Sequence, residues 1–87
     1  MYKIKFSEKF TETLIKLPTR LISKVKNKTN WLSANAEVLN HQMLKGDEFK
    51  NIFKLRIGDY RILYDMDQAN KTITFVKIGH RKDIYKF

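Results

Sequence analysis

The sequence predicts an α+β fold with the element order β-α-α-β-β-β, in which two N-terminal helices pack on one face of a small antiparallel sheet. Three patterns support this prediction. Polar and apolar residues alternate over residues 2–6, apolar residues recur at helical spacing between residues 8 and 33, and the second half is rich in β-branched and aromatic residues around a Gly-Asp turn. With 87 residues, the chain is expected to form a single domain spanning residues 1–87.

A single proline, Pro18, divides the helical half of the chain. Ser7 is a suitable N-cap for a first helix, because its hydroxyl can accept a hydrogen bond from an unpaired N–H of the first turn. Phe10, Leu14 and Leu17 then recur at helical spacing and form its apolar face. Proline lacks an N–H and has a fixed φ, so Pro18 is expected to end this helix and to stand at or just before the start of the second.

The second helix is expected from about Thr19 to about Ser33. Its buried stripe has Thr29 in the middle and otherwise consists of apolar residues, namely Leu21, Ile22, Val25 and Leu32. The basic residues beside that stripe are interpreted first as a solvated face and second as phosphate contacts: Arg20, Lys24, Lys26 and Lys28. Trp31 is interpreted as a core or interface aromatic in preference to a base-stacking residue. Residues 34–47 are expected to form a connector with an extended piece around 42–45.

Gly58 and Asp59 predict a two-residue turn between two strands. The alternation on either side then sets the register of a hairpin, with the cross-strand pairs Ile57–Tyr60, Leu55–Ile62 and Phe53–Tyr64. These pairs form one apolar face, which we expect to pack on the helices. The opposite face, called the open face below, carries the cations Lys54, Arg56 and Arg61, with Leu63 among them.

A turn over residues 67–70 should lead to a last strand from 71 to about 80, which is rich in β-forming residues. If Val76 and Ile78 face the helices, Lys77, Gly79 and Arg81 share the open face with the hairpin cations. Lys50 joins them if the preceding strand begins that early. A cluster of cations on one face suits a polyanion.

The composition agrees with such a ligand. Eighteen lysines and arginines against nine acidic residues give a formal net charge of +9, which predicts attraction to nucleic acid, an anionic membrane or an acidic protein. The chain has no cysteine, which excludes disulfides, thiolate metal sites and cysteine nucleophiles. It contains neither an apolar run of about 18 residues nor a signal-peptide pattern, so a cytoplasmic protein is expected.

Several segments, in this order, resemble the RelE/ParE superfamily of bacterial and archaeal toxins: YKIKF at 2–6, KLP at 16–18, LKG at 44–46, FKLRIGDYRILY at 53–64 and IGHRKDIY at 78–85. The resemblance implies a fold similar to that of microbial ribonucleases. Members of the RelE branch cut messenger RNA in the ribosomal A site and are neutralised by an antitoxin. Members of the ParE branch share the fold but act on DNA gyrase without being nucleases.

Carried over by position, Lys54, Arg61, Arg81 and Tyr85 match the catalytic residues of the RelE branch. The implied reaction is attack of the ribose 2′-OH on the adjacent phosphate, which needs a proton acceptor, cations and a proton donor but no metal or cofactor. Lys54 would be the base if crowding by Arg56 and Arg61 favours loss of its proton. Arg61 would hold the phosphate, Arg81 would stabilise or protonate the leaving group, and Tyr85 would stack on a base.

Lys50, Arg56, Lys77 and His80 are the expected RNA-binding residues around that set. The sequence departs from the family at one position: ribosome-dependent relatives often carry a second lysine two residues before the one matched by Lys54, and this chain has Ile52 there. Lys50 has the same strand parity and could partly replace that lysine, or His80 could act as an acid or base. A histidine beside an arginine is more often structural or merely exposed.

The leading hypothesis is therefore a ribosome-dependent mRNA endonuclease toxin. The alternatives are a ParE-like inhibitor of gyrase and an inactive homologue that only binds an antitoxin. The expected partners are a cognate acidic antitoxin, the ribosomal A site and mRNA, with no membrane, and with DNA contacted only indirectly through the antitoxin.

Overall fold

The computed structural model describes residues 1–39, 41–43 and 52–84. Two helices and five strands follow one another along these residues: β1 Lys3–Phe6, α1 Glu8–Leu14, α2 Thr19–Asn35, β2 Gln42–Met43, β3 Ile52–Ile57, β4 Tyr60–Asp67 and β5 Thr72–His80. The strands form one sheet in the order β1-β5-β4-β3-β2. The α+β class and the order of the predicted elements are confirmed, and the extended piece expected around 42–45 includes the short strand β2.

Each helix begins at the expected residue, but α1 ends at Leu14, so the prediction that it continues through Leu17 to Pro18 is wrong. The Ser7 hydroxyl caps α1 by accepting a hydrogen bond from the Phe10 N–H at 3.0 Å. Pro18 is the N-cap position of α2, which begins at Thr19 and ends at Asn35, two residues beyond the predicted end. Neither helix of the described part of the chain is long and apolar enough to cross a membrane.

The sheet is mixed, which corrects the expectation of an antiparallel sheet. β1 pairs with β5 in parallel, with Lys3 beside Thr72 and Phe6 beside Phe75. Strands joined by a hairpin must be antiparallel, but nearly the whole chain lies between β1 and β5, so no turn fixes their relative direction. The other three pairings are antiparallel.

The hairpin of β3 and β4 has the predicted register, in which Ile57, Leu55 and Phe53 lie opposite Tyr60, Ile62 and Tyr64. Gly58 has a φ of 55°, in the left-handed region that glycine tolerates, and this permits the tight turn.

A β-bulge changes the expected pattern in β5. Lys77 pairs with Leu63 but Phe75 pairs with Tyr64, which leaves Val76 as an extra residue between them. Ile78 is buried in the core as predicted, whereas the core position expected for Val76 is occupied by Phe75. Beyond the bulge, Lys77 and Gly79 have the parity of the open face, as expected.

The core lies between the helices and the sheet. Phe10 of α1 and Phe75 of β5 are fully buried, and Phe6 stacks against both rings with centroid distances of 5.4 and 5.6 Å. The apolar face of the hairpin packs on the same cluster, as predicted, together with Val25 and Leu32 of α2. Trp31 is 42% exposed, so the interpretation of this residue as a core aromatic is wrong.

Candidate functional site

The cations of the open face lie in two neighbouring rows that cross the central strands. One row runs Lys54–Leu63–Lys77 and the next runs Arg56–Arg61–Gly79. Adjacent strands are ~4.8 Å apart, and alternate residues of one strand are ~6.6 Å apart. The Cα atoms of all four cations therefore lie within about 10 Å of the Leu63 Cα. The structure therefore brings Lys54, Arg56, Arg61 and Lys77 together.

Arg61 is held in place by the turn of its own hairpin. Its Nη1 donates hydrogen bonds to the carbonyl oxygens of Gly58 and Tyr60, both at 2.9 Å. A guanidinium carries further donors on Nη2 and Nε, arranged in a plane that matches a phosphate. The turn thus orients the Arg61 side chain before any ligand binds.

Arg81 reaches the same end of the hairpin from the turn that follows β5. Its backbone N–H donates to the Asp59 carbonyl at 2.7 Å, and its Nε lies 4.0 Å from Asp59 Oδ1. Both side chains of this ion pair are more than half exposed, so the pair adds little stability. Its consequence is positional, because it brings Arg81 beside the turn that also anchors Arg61.

The open face is partly covered by an apolar contact that the sequence analysis did not anticipate. The N–H groups of Asp83 and Ile84 donate to the His80 carbonyl at 2.8 and 2.9 Å, which forms a turn after β5. A Cβ on Gly79 would lie 3.2 Å from Ile84 Cδ1. Ile84 and Leu63 are both only 1% exposed. A dry apolar contact therefore adjoins the cations, which lowers the local dielectric near them.

The Lys77 ammonium of β5 has a lowered pKa. Partial burial, and then the positive charge of Lys9, lower the pKa of the Lys77 ammonium. A lowered pKa enlarges the neutral fraction of an amine at a given pH, which is the form that can accept a proton. Lys77 therefore has a property required of a general base.

His80 is oriented away from these cations by the strand register. It pairs with Tyr60 and shares the parity of Ile78, so it lies on the helix side of the sheet. Its ring contacts Tyr60 edge-on with centroids 5.7 Å apart, and its Nδ1 accepts a hydrogen bond from the Lys82 N–H at 3.2 Å. These contacts stabilise the turn that carries Arg81. The other two predicted site residues, Lys50 and Tyr85, lie outside the described residues.

A buried pair behind the site was missed by the sequence analysis. His41 Nδ1 lies 2.6 Å from the Tyr64 hydroxyl, and His41 Nε2 lies 2.7 Å from the Ala36 carbonyl oxygen. A carbonyl can only accept, so Nε2 carries the proton and, in the neutral ring, Nδ1 accepts from Tyr64. Burial raises the pKa of Tyr64 to about 12, which keeps its hydroxyl available as a donor. The hydrogen bond between His41 and Tyr64 connects the segment just before β2 to β4.

Comparison with known proteins identifies similar chains. A family model described as the ParE toxin of the type II toxin–antitoxin system parDE matches residues 4–85. Toxin RelG of Mycobacterium tuberculosis is 29% identical over 85 residues, which cover 98% of this chain and 97% of that protein. Toxin RelE3 of Methanocaldococcus jannaschii is also 29% identical, over 89 residues and the same shares of the two chains.

Solved structures agree with the fold. A chain of the toxin–antitoxin complex RelBE2 of Mycobacterium tuberculosis superposes with a TM-score of 0.80 at 27% identity, covering 92% of this chain and 98% of that one. The isolated E. coli RelE toxin has a TM-score of 0.76 over 92% of this chain and 84% of its own. At 17% identity, the latter supports the fold alone.

Proposed function

The chain belongs to the ParE toxin family of type II toxin–antitoxin systems, within the RelE/ParE superfamily, and on this premise we propose that it is a ribosome-dependent endoribonuclease that cuts messenger RNA and so inhibits translation. The observation that carries the proposal is the convergence of Arg56, Arg61 and Arg81 at the β3–β4 turn, beside Lys54 and Lys77. This arrangement of fixed cations suits a phosphate that gains negative charge during a reaction.

In the proposed reaction, a base removes the proton of a ribose 2′-OH, and the 2′ oxygen bonds to the adjacent phosphorus. The bond to the 5′ oxygen breaks, that oxygen takes up a proton, and a 2′,3′-cyclic phosphate remains. Arg61 holds the phosphate through the donors on its Nη2 and Nε, and Arg81 stabilises the leaving oxygen. Lys54 and Lys77 are the two candidate bases, and the lowered pKa of Lys77 supports its inclusion.

The remaining assignments keep the roles implied by the family resemblance. Tyr85 stacks on a base of the message, and Lys50 and Arg56 contribute to RNA binding, whereas the helix-side position of His80 corrects the expectation that it binds RNA directly. His80 acts through the turn that carries Arg81, in keeping with its hydrogen bond to the Lys82 N–H. The reaction takes place in the cytoplasm, where ribosomes and messages are found.

The proposed partner is an acidic antitoxin encoded beside this protein. Three similar structures are of toxin–antitoxin complexes, from Mycobacterium tuberculosis, Pyrococcus horikoshii and Methanococcus jannaschii. A net charge of +9 favours an acidic partner, which would cover or distort the open face and block access of RNA. Co-expression with the neighbouring acidic gene product should abolish toxicity, and a toxin that stays harmful when bound to it would contradict this assignment.

The proposed function is tested by translating a defined message on purified ribosomes with the variants Arg61→Ala and Arg81→Ala. Each should reduce the cleavage rate by about 10²–10³, the usual cost of removing one group that stabilises transition-state charge. Arg20→Ala is the matched control, because Arg20 is an exposed arginine of α2 away from the open face, and it should cleave normally. Equal cleavage by all three variants would exclude the proposed site.

A second candidate function is inhibition of DNA gyrase without nuclease activity. Two observations favour it: the matching family model is named for ParE toxins, and Ile52 stands where ribosome-dependent relatives often carry a lysine. Inhibited supercoiling with an intact message would assign the chain to this function, and the catalytic roles of Lys54 and Arg81 would then be abandoned.

A further inference from the structure

Trp31 occupies an unusual position for the only tryptophan of the chain. It lies on α2 and is 42% exposed, although an indole is the side chain that gains most from burial. The ammonium of Lys28, one helical turn away, lies over the face of its ring, 4.3 Å from the centroid, so a base that stacks on this face displaces the ammonium toward the phosphates. An exposed aromatic ring beside a cation is the combination with which proteins bind single-stranded nucleic acid, since the ring stacks on a base and the cation meets a phosphate.

A groove between α2 and β3 surrounds this indole. It has a volume of about 510 Å³ and is lined by Lys24, Asn27, Lys28, Trp31, Arg56, Ile57 and Gly58. A second groove of about 480 Å³ shares Lys28, Trp31 and Arg56 with the first and extends to Lys54 and His41. Among the described residues, the lining of these two grooves includes four cations and no carboxylate.

Strand pairing explains why the groove is open. β2 pairs only with Phe53 and Lys54 of β3. Within the described part of the chain, the segment of β3 from Leu55 to Ile57 has β4 on one side and no strand on the other. Arg56 therefore belongs both to the row of cations on the open face and to the groove under α2.

We propose that the α2–β3 groove is a second nucleic-acid site, which binds a single-stranded RNA segment with one base stacked on Trp31 and its phosphates against Lys24, Lys28 and Arg56. Through Arg56 and Lys54 the groove is continuous with the open face, so one strand can follow both. Lys24, Lys28 and Trp31 bind RNA without contributing to cleavage, whereas Arg56 is shared with the open face, and the existence of the groove site does not depend on the proposed nuclease reaction.

The lining favours RNA over an amphipathic helix of a protein partner. Such a helix needs a row of apolar pockets for side chains spaced three and four residues apart. Among the described residues that line the first groove, only Trp31 and Ile57 have apolar side chains, and cations and an amide make up the remaining side chains. Base stacking requires a single ring, and neighbouring cations supply the rest of the attraction to a phosphate backbone.

The single tryptophan makes the test direct, because indole fluorescence reports on Trp31 alone. The purified toxin, free of antitoxin, is titrated with a short 2′-O-methyl oligouridine, which has no free 2′-OH and cannot be cut by 2′-OH attack. We expect saturable quenching of Trp31. Anisotropy of a labelled oligouridine should show binding weakened at least ~5-fold in Trp31→Ala, the lower end of the contribution of base stacking, and largely retained in Trp31→Phe.

Charge variants of α2 supply the matched comparison. Lys24→Ala should weaken binding and flatten its dependence on salt by about 0.7 in the log–log slope, as expected for one lost phosphate contact on a single strand. Lys26→Ala removes the same charge from the same helix but from a residue that lines neither groove, and it should bind like the parent protein.

Three results would overturn the proposal. In the first, oligouridine binds without quenching Trp31. In the second, Arg61→Ala abolishes binding while Trp31→Ala leaves it unchanged. Either result would confine RNA to the open face. Quenching by the acidic antitoxin but not by oligouridine would make the groove a protein-docking surface. Since the probe cannot be cleaved, failure of the proposed nuclease activity and failure of this site are separate outcomes.

Discussion

At the scale of single residues, the site depends on groups whose orientation is fixed by backbone atoms. Arg61 is bound to two carbonyls of its own turn, and Arg81 is held by the Asp59 carbonyl. The sequence predicted which of these residues share a face, because side chains alternate along a strand. It could not predict the hydrogen bonds of Arg61, which depend on how the guanidinium folds back over the turn.

His41 and Tyr64 illustrate the same limit. Nothing in the sequence near His41 indicates a partner 23 residues away, since their contact exists only after the connector returns to β4. Tyr64 itself was predicted to be buried, from the alternation of the hairpin. A lone histidine in a segment without clear periodicity gives no signal from which this hydrogen bond could have been inferred.

Tyr64→Phe should lower the free energy of unfolding by about 1–3 kcal/mol, because it leaves His41 Nδ1 without its hydrogen-bond donor in a partly buried place. Chemical denaturation measures the effect. In the double variant with His41→Ala, the second substitution should cost much less than it does alone, because the shared bond is already lost. Additive effects of the two substitutions would contradict this account of the pair.

At the scale of elements, the hairpin of β3 and β4 was the most predictable part of the fold. Gly58 fixed the turn, the turn fixed the register, and the register placed six apolar side chains on the helices. The direction of β1 and the bulge at Val76 were not predictable from local pattern. Both depend on contacts between segments that are distant in sequence. A one-residue bulge cannot be recognised from the alternation of apolar residues along a strand.

The core contribution of the hairpin is tested by Ile62→Ala. Ile62 is fully buried, so its truncation should cost about 2–5 kcal/mol in the free energy of unfolding. Leu55→Ala removes a half-buried side chain from the facing position and should cost less. Denaturant unfolding of both variants measures the difference, and an equal loss would show that the facing side chains are equally buried in solution.

The turn after β5 connects packing to the proposed chemistry through Gly79. In Gly79→Val a Cβ would stand 3.2 Å from Ile84 Cδ1, and its added methyls would push aside the turn that carries Arg81. We expect cleavage to fall on the order of 10²-fold, as for a misplaced catalytic group. The control is Thr74→Val, on the same strand and face but away from this turn, which should cleave normally in the same ribosome assay.

If Gly79→Val cleaves as well as the parent protein, Ile84 does not position Arg81. Thermal unfolding of the same variant separates this effect from loss of the fold, because overpacking typically costs about 1–3 kcal/mol. The positioning role of the turn is supported only if Gly79→Val loses cleavage activity while it is still folded at the assay temperature.

At the scale of the whole molecule, the cations of β3, β4 and β5 lie on the open face, and Lys24 and Lys28 of α2 line the adjoining groove. The open face carries the cations expected from strand parity, and Arg56 extends them to the groove under α2. The net charge indicated a polyanionic partner from composition alone. The groove could not be foreseen, because the sequence does not reveal that Lys24, Lys28 and Trp31 of α2 lie in one groove with Arg56 of β3.

The central claim is tested most directly by mapping the fate of a defined message during translation on purified ribosomes, with gyrase supercoiling assayed on the same protein preparation. The account predicts new 5′-hydroxyl ends within A-site codons, matching 2′,3′-cyclic phosphates, and loss of both products in Arg61→Ala. An intact message together with inhibited supercoiling would contradict the claim.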